Sequence, residues 1–354
     1  VTNKKLTAIA IPLLAAALSL GACTRAHNGS GSDTTTTDQG AASELRLGYF
    51  PNVTHAAALI GVDKGFFTKE LGSTKLTTQT FNAGPDEVSA LLGGSLDAAF
   101  VGSGPSINAF AKSDGAAVRL VAGATSGGAE LVVKPGINTP ADLVGKTIAD
   151  PQLGNTQDVA LKTWLAKNNL TGKVTVANLA NSEVLGEFKS GQVQGGWEPE
   201  PYASQLVVSG GAKVLVDEST LWPGGQFPTT VLIVRTQFLQ QHPETVRALI
   251  KGELDAIDYA AGDKAGAEAA VNDQLKQLTG KPLAQPILDR AFSKIQLTTN
   301  PLATDFPELT KDQVTAGIAK TAPGLTGFAD LTTLNSVLRA AGKPTVDAGS
   351  LGGN

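Results

Sequence analysis

From Glu44 onward, short apolar runs rich in β-branched residues alternate with stretches whose apolar positions recur at helical spacing. That alternation predicts α/β layers around mostly parallel sheets. Strands are expected at 45–49, 76–81, 98–101 and 118–122, with helices at 56–63, 85–92 and 105–112 between them. Three βα units in a row make one lobe, and a further strand at 129–133 closes it. Pro135-Gly136 and the Asn138-Thr139-Pro140 turn then break the run, as Pro and Gly do by fixing φ or freeing it. A second series follows, with strands at 147–149, 174–177 and 195–197 and helices at 156–167 and 183–189. The run TTVLIVR at 229–235 predicts the strand that returns to the first lobe. Helical patterns at 243–261, 265–278, 282–294 and 331–341 are expected to pack on that lobe. The expected division is 44–134 with 229–354 as the first lobe and 135–228 as the second. An insertion bounded by two crossings makes a cleft with hinges.

Before Glu44 the pattern is different. Lys4 and Lys5 precede an apolar stretch at 6–20, and Leu20-Gly21-Ala22-Cys23 follows. This reads as an export signal over 1–22, and its end resembles the bacterial lipobox, in which the cysteine is acylated and becomes the new N-terminus. The chain opens on Val and has no Met, which is expected of a GTG start written literally. Residues 23–43 are polar and small without apolar period, a flexible tether in which His27 is inert. Cys23 is the only cysteine, so lipidation at Cys23 takes disulfides, thiolate metal sites and thiol catalysis with it.

Composition narrows the function classes. The chain is 42% hydrophobic and 17% charged, and no later apolar run is long enough to span a bilayer. Removing Lys4 and Lys5 with the signal takes the formal charge from −4 to −6. With no basic cluster, nucleic acid is not expected as a partner. His27, His55 and His242 are the only histidines, and none has a visible acid or nucleophile beside it. Dinucleotide and phosphate-loop motifs are missing. No catalytic residue, metal or cofactor is therefore expected.

Ligands of open α/β sheets sit beyond the carboxyl ends of strands, where helices begin. Three such starts are rich in small and capping residues: Asn52, Thr54 and His55 after the first strand, Ser103 and Gly104 after the third, and Asn155 with Thr156 in the second lobe. Free N–H groups and the positive helix end can hold an oxyanion there without Arg or Lys. Each taken alone reads equally well as an ordinary cap. Ser126-Gly127-Gly128 precedes the first crossing and Gln226-Phe227-Pro228-Thr229-Thr230 the second, as hinge and cleft segments. Trp197 ends a short strand and is a candidate apolar wall of the cleft, although an aromatic there is more often core. Glu198, between Trp197 and Pro199, is placed to face ligand or solvent. If it faces the ligand, the ligand carries a hydrogen-bond donor or positive group, because a bare anion would be repelled.

Leu45-Arg46-Leu47-Gly48-Tyr49 leads to Gly61-Val62-Asp63-Lys64-Gly65-Phe66-Phe67, then Ser95-Leu96-Asp97-Ala98-Ala99-Phe100-Val101-Gly102, then Asp142-Leu143-Val144-Gly145-Lys146. In order and spacing these segments resemble the substrate-binding proteins of ABC importers for sulfonates, taurine and nitrate, with their thiamine-pyrimidine-binding relatives. The resemblance runs from about Glu44 to His242. It implies a two-lobed, type II periplasmic-binding-protein-like clamshell with a ligand cleft between the lobes. It also implies a monomeric, lipid-anchored extracytoplasmic receptor that serves a permease and its ATPase. The implied ligand is a small organic anion, an aliphatic sulfonate first, with nitrate-like anions, taurine-like zwitterions and pyrimidine precursors as alternatives. A ligand sensor is a second use of the same fold. Synthases of the pyrimidine branch carry a cysteine-rich motif and an active-site histidine, which this chain does not match.

Overall fold

The computed structural model describes residues 37–353; the expected signal at 1–22, Cys23 and the tether as far as residue 36 lie outside the described residues. β1 (Glu44–Tyr49) passes through a 3-10 turn at Val53–His55 into α1 (Ala56–Asp63) and α2 (Phe66–Leu71). β2 (Lys75–Thr80), α3 (Gly84–Leu92), β3 (Ala98–Gly102), α4 (Ser103–Lys112) and β4 (Val118–Gly127) complete the first series. The second holds β5 (Ala129–Val133), β6 (Thr147–Asp150), α5 (Thr156–Lys167), β7 (Thr175–Asn178), α6 (Asn181–Ser190), β8 (Gly195–Pro199), α7 (Tyr202–Gly210) and β9 (Lys213–Asp217). The chain returns as β10 (Pro228–Arg235), followed by α8 (Thr236–Gln241), α9 (Pro243–Gly262), α10 (Lys264–Thr279), α11 (Gln285–Lys294), β11 (Ile295–Leu297), α12 (Phe306–Thr315) and α13 (Thr332–Ala340).

The strands form two sheets, ordered β11-β4-β10-β3-β1-β2 and β7-β6-β8-β5-β9. In the first, β1 runs parallel to β2 and β3, while the returning β10 lies antiparallel between β3 and β4. In the second, β6 is parallel to β7 and β8, and β5 is antiparallel to β8 and β9. Helices cover both sheets, so the inner strands β3, β5 and β10 are buried along almost their whole length, while the edge strands β2 and β7 stay polar and partly exposed. Leu45, Leu47, Phe100, Leu120, Leu232 and Val234 are fully buried in the first core. The second sheet has a core on each face: Leu131 and Val133 point to one with Trp164 and Trp197, and Val132 points to the other with Phe188 and Leu206. The period of two along a strand accounts for that split.

Two features differ from the sequence expectation. The strand Ala129–Val133 pairs in the second sheet, so the chain crosses before it, at Gly127-Gly128, rather than after it. Both glycines have positive φ, 72° and 83°, and a Cβ on Gly128 would stand 2.5 Å from Ile295 Cγ2. Only glycine fits such a turn without strain. The Pro135–Pro140 turn is a loop inside the second lobe. Second, α11 does not pack on the first lobe alone: it lies against α7. Arg290 reaches Glu130 (2.6 Å) and Glu200 (3.0 Å), and Lys294 reaches Glu130 (2.8 Å) and Asp217 (3.3 Å). Apolar spacing showed the helix but not its neighbour, which these charges on one helix face select. The two crossings are themselves joined: Gly127 N–H donates to Phe227 C=O (2.9 Å) and Phe227 N–H to Ser126 Oγ (3.2 Å).

Candidate ligand site

At the carboxyl ends of β1, β3, β6, β7 and β8, and at the amino end of the antiparallel β10, the helix starts of both lobes converge. A cavity of about 20 Å³ is enclosed by Phe50, Asn52, Thr54, His55, Gly102, Asn155, Thr156, Gln157, Asn181, Pro199, Thr229 and Thr230. None of these side chains is Asp, Glu, Lys or Arg. The helices that open here, α4, α5 and α6, have no side-chain cap, so their first N–H groups are not satisfied by their own caps.

Each wall has a local cause. After β1 the chain turns at Asn52, and Thr54 Oγ1 donates to Asn52 Oδ1 (2.9 Å), which leaves the Asn52 amide NH₂ free of that bond. His55 is buried, stacks on Phe50 with ring centroids 4.4 Å apart, and accepts the Phe50 N–H at Nδ1 (3.2 Å). Burial pushes its pKa down to about 3. The ring is therefore neutral near pH 7, and with Nδ1 accepting, its proton sits on Nε2 as a donor. Across the cavity Thr156 Oγ1 accepts the Gly104 N–H (3.2 Å) and Asn155 Oδ1 accepts the Gly84 N–H (3.4 Å). These bonds join the two lobes. Three buried polar atoms around the site lack partners: Ser103 Oγ, Asn181 Oδ1 and Thr230 Oγ1. Leaving such atoms unpaired costs about 1–3 kcal/mol each, which a ligand bearing hydrogen-bonding oxygens recovers in part.

Asn52, Thr54, His55, Asn155 and Thr156 thus line one cavity. Ser103 sits beside it, fully buried at the start of α4, and does not cap its helix. Gly104 is engaged elsewhere, its N–H with Thr156 and its carbonyl with Gln313 (3.2 Å). Ser126, Gly127 and Phe227 form the crossings rather than the cavity wall.

Trp197 and Glu198 are placed differently from expectation. Trp197 is fully buried in the second lobe, edge-on to Trp164 (6.2 Å), and its Nε1 donates to Glu218 (3.3 Å). It does not line this cavity. Glu198 points to the opposite face of β8 and is also fully buried, with neither carboxylate oxygen partnered. Desolvation, and then the nearby Asp150, raise its pKa well above the usual carboxylate range. The flanking prolines suggested a surface turn, but α5 covers one face of β8 and α6 with α7 the other. Among the residues not singled out beforehand, Asn181 had a readable signal, since Asn181-Ser182-Glu183 after β7 is a capping-type helix start. Phe50 and Pro199 carried none.

Two helix-flanked mixed sheets, crossed twice by the chain, with uncapped helix starts meeting between them, define a two-lobed α/β binding protein of the type II periplasmic kind. The model of the NMT1-like family matches residues 38–273, and the chain belongs to that family. It is 32% identical over 221 residues to a taurine-binding periplasmic protein of Escherichia coli, covering 61% of this chain and 67% of that one. It is 29% identical over 229 residues to a putative aliphatic sulfonates-binding protein of Bacillus subtilis, covering 63% and 67%. The fold matches that of an alkanesulfonate-binding protein from Xanthomonas axonopodis pv. citri, solved bound to MOPS, with TM-score 0.65 and 23% identity over 80% of this chain and 95% of that one. These relatives are named as solute-binding proteins rather than enzymes. Among the described residues no helix is long and apolar enough to cross a membrane, and no three metal-ligating side chains group together.

The buried Glu198 gives a test of how this site is built. Its folded-state pKa lies above the unfolded value of 4.5. Between those two values the folded state holds a proton that the unfolded state has released. Stability therefore falls as pH rises through that window, by up to about 1.4 kcal/mol per pH unit for this group. Glu198→Gln is expected to raise the melting temperature near pH 7 and to flatten the decline above about pH 5 relative to wild type. A variant with an unchanged slope and a lower melting temperature would contradict this placement.

Proposed function

We propose that the protein is the extracytoplasmic solute-binding component of an ABC importer and that its ligand is a small organic anion, an aliphatic sulfonate first. The observation that carries the reading is the cavity itself: uncapped helix starts from both lobes, together with neutral donors, and no charged side chain on the wall. Helix N-termini carry a positive potential and orphan N–H groups, which suit a tetrahedral oxyanion that is not protonated near pH 7. His55 adds an Nε2–H whose charge does not change over the physiological range. The named ligands of the relatives point the same way. Taurine is the second reading, favoured by the Escherichia coli relative. Glu198 gives it no support, since it does not line the cavity and its burial disfavours the charged form. The role is binding without catalysis, by a monomer that delivers its ligand to a permease and ATPase.

The free volume of about 20 Å³ takes little more than one water-sized group. A sulfonate and its tail therefore enter by separation of the lobes and are enclosed when they close on it, a ligand-driven shift toward the closed form. Thr230→Val and Ser103→Ala each remove one candidate hydrogen bond to a charged group, about 1.5–3 kcal/mol. Calorimetry with ethanesulfonate, taurine and nitrate is expected to show a ten- to hundredfold weaker sulfonate affinity for each variant, roughly. Wild-type affinity in both would mean the site lies elsewhere, and stronger binding of taurine than of ethanesulfonate would select the second reading.

We propose further that the export signal delivers the chain to the membrane surface, where Cys23 is acylated and the residues after it act as the tether. The expected tether ends earlier than residue 43, because Gln39 N–H donates to Gln241 C=O (2.7 Å) and the buried Ala42 N–H to Thr245 Oγ1 (2.9 Å), which dock 39–43 on the first lobe. Cys23→Ser is expected to release the protein from the membrane fraction of cells or leave it unprocessed. A processed variant that remained membrane-bound would overturn the anchor.

A further inference from the structure

A second and larger cavity, about 570 Å³, runs along α5 between the 3-10 turns at Glu218–Leu221 and Pro223–Gly225 and the α12 segment. It shares only Thr156 with the anion cavity. Its volume falls in the range of small-molecule sites. Its chemistry is the reverse of its neighbour's. Trp164, Trp222 and Phe227 supply aromatic surface, with the Trp222 and Phe227 rings 5.1 Å apart. Glu218, Asp305, Asp312 and Glu308 supply four carboxylates against the single base Lys167. Lys167 is paired with Asp312 (3.5 Å), and Glu308 is paired with Lys311 (2.9 Å). That leaves Glu218 and Asp305 without an ion-pair partner. Glu218 is 1% exposed; one oxygen accepts from Trp197 Nε1 (3.3 Å), and the other has no partner.

We infer that this cavity binds a small organic ammonium ion, at a place distinct from the anion site. Aromatic faces attract cations through their quadrupole, most strongly where water is excluded. An unpaired carboxylate beside them supplies the counter-charge. No three acidic, histidine or cysteine side chains among the described residues are grouped as metal ligands. The acids are thus spread around the wall, which suits a cation several atoms wide rather than a metal ion. Burial raises the pKa of Glu218 to about 8 and that of Asp305 to about 6. A bound ammonium reverses that shift by favouring the charged carboxylate. Because α5 belongs to the second lobe and α12 follows the return to the first, an occupant here touches both.

The chain has three tryptophans; two line this cavity and the third hydrogen-bonds Glu218, so intrinsic fluorescence reports on it directly. Choline is the cation to titrate, against its neutral isostere in which carbon replaces the quaternary nitrogen. The expected result is a saturable change with choline, binding at least about tenfold tighter than the isostere, and at least about tenfold weaker choline binding in Glu218→Gln. Gln preserves the acceptor for Trp197, and Asp305→Asn serves as the independent variant should the first misfold. Equal affinity for choline and the isostere, no saturable change in the intact protein, or unchanged choline affinity in both variants would overturn the inference. Ethanesulfonate calorimetry on the same preparation separates the two sites: loss of sulfonate binding with choline binding intact counts against the anion reading alone.

Discussion

The geometry of the site depends on how closely the backbones of the two lobes approach. A Cβ on Gly102 would lie 2.3 Å from Thr156 Oγ1, and one on Gly104 would lie 3.2 Å from Thr156 Cα. With glycine at both positions, the start of α4 can touch the start of α5, and Thr156 can accept the Gly104 N–H. Any side chain there would hold the lobes apart and open the helix starts to water. The crossings at Gly127-Gly128 and at Phe227 set the same approach from the opposite side, because their mutual hydrogen bonds fix where one sheet gives way to the other.

Electrostatics then explain why an anion can be accepted in a site with no basic residue. The wall donates through N–H groups, amides, hydroxyls and a neutral imidazole. Behind it stands a group of acids whose charge is suppressed or compensated. Asp150 is raised to about 9, by burial first and then by Asp158, while Asp158 is itself paired with Lys162 at 2.6 Å. Glu198 is raised too, by burial first and then by Asp150. Carboxylates this close to one another in a dry interior share protons rather than all ionise. They therefore repel an anion far less than their number suggests. The groove along α5 shows the contrast, with aromatic rings and acids at its wall rather than uncapped helix starts.

Much of the fold was legible because periodicity reports local structure directly. The segment 229–235 is unusually rich in β-branched residues and is indeed a buried strand of the first sheet, β10. Sheet membership was less legible. Ala129–Val133 reads as a strand in any context, and only the positive-φ glycines before it reveal that the chain has already crossed. α11 was visible as a helix, but its place against α7 rests on Arg290 and Lys294 meeting acids from three separate segments. In the site, helix starts were readable because small and capping residues after a strand have a physical meaning there. Trp197 and Glu198 were misread because the prolines that follow suggest a surface turn, whereas burial of β8 depends on α5, α6 and α7, which are distant along the chain. Pro199 reaches the cavity through strand register, which one sequence does not display.

The central claim is that both lobes hold an anion through neutral donors. A crystal structure of the protein with ethanesulfonate tests it most directly. The account predicts sulfonate oxygens within hydrogen-bonding distance of N–H groups at the start of α5 and of His55 Nε2, with contacts from both lobes. A sulfonate paired with a lysine or arginine, or touching one lobe only, would contradict it.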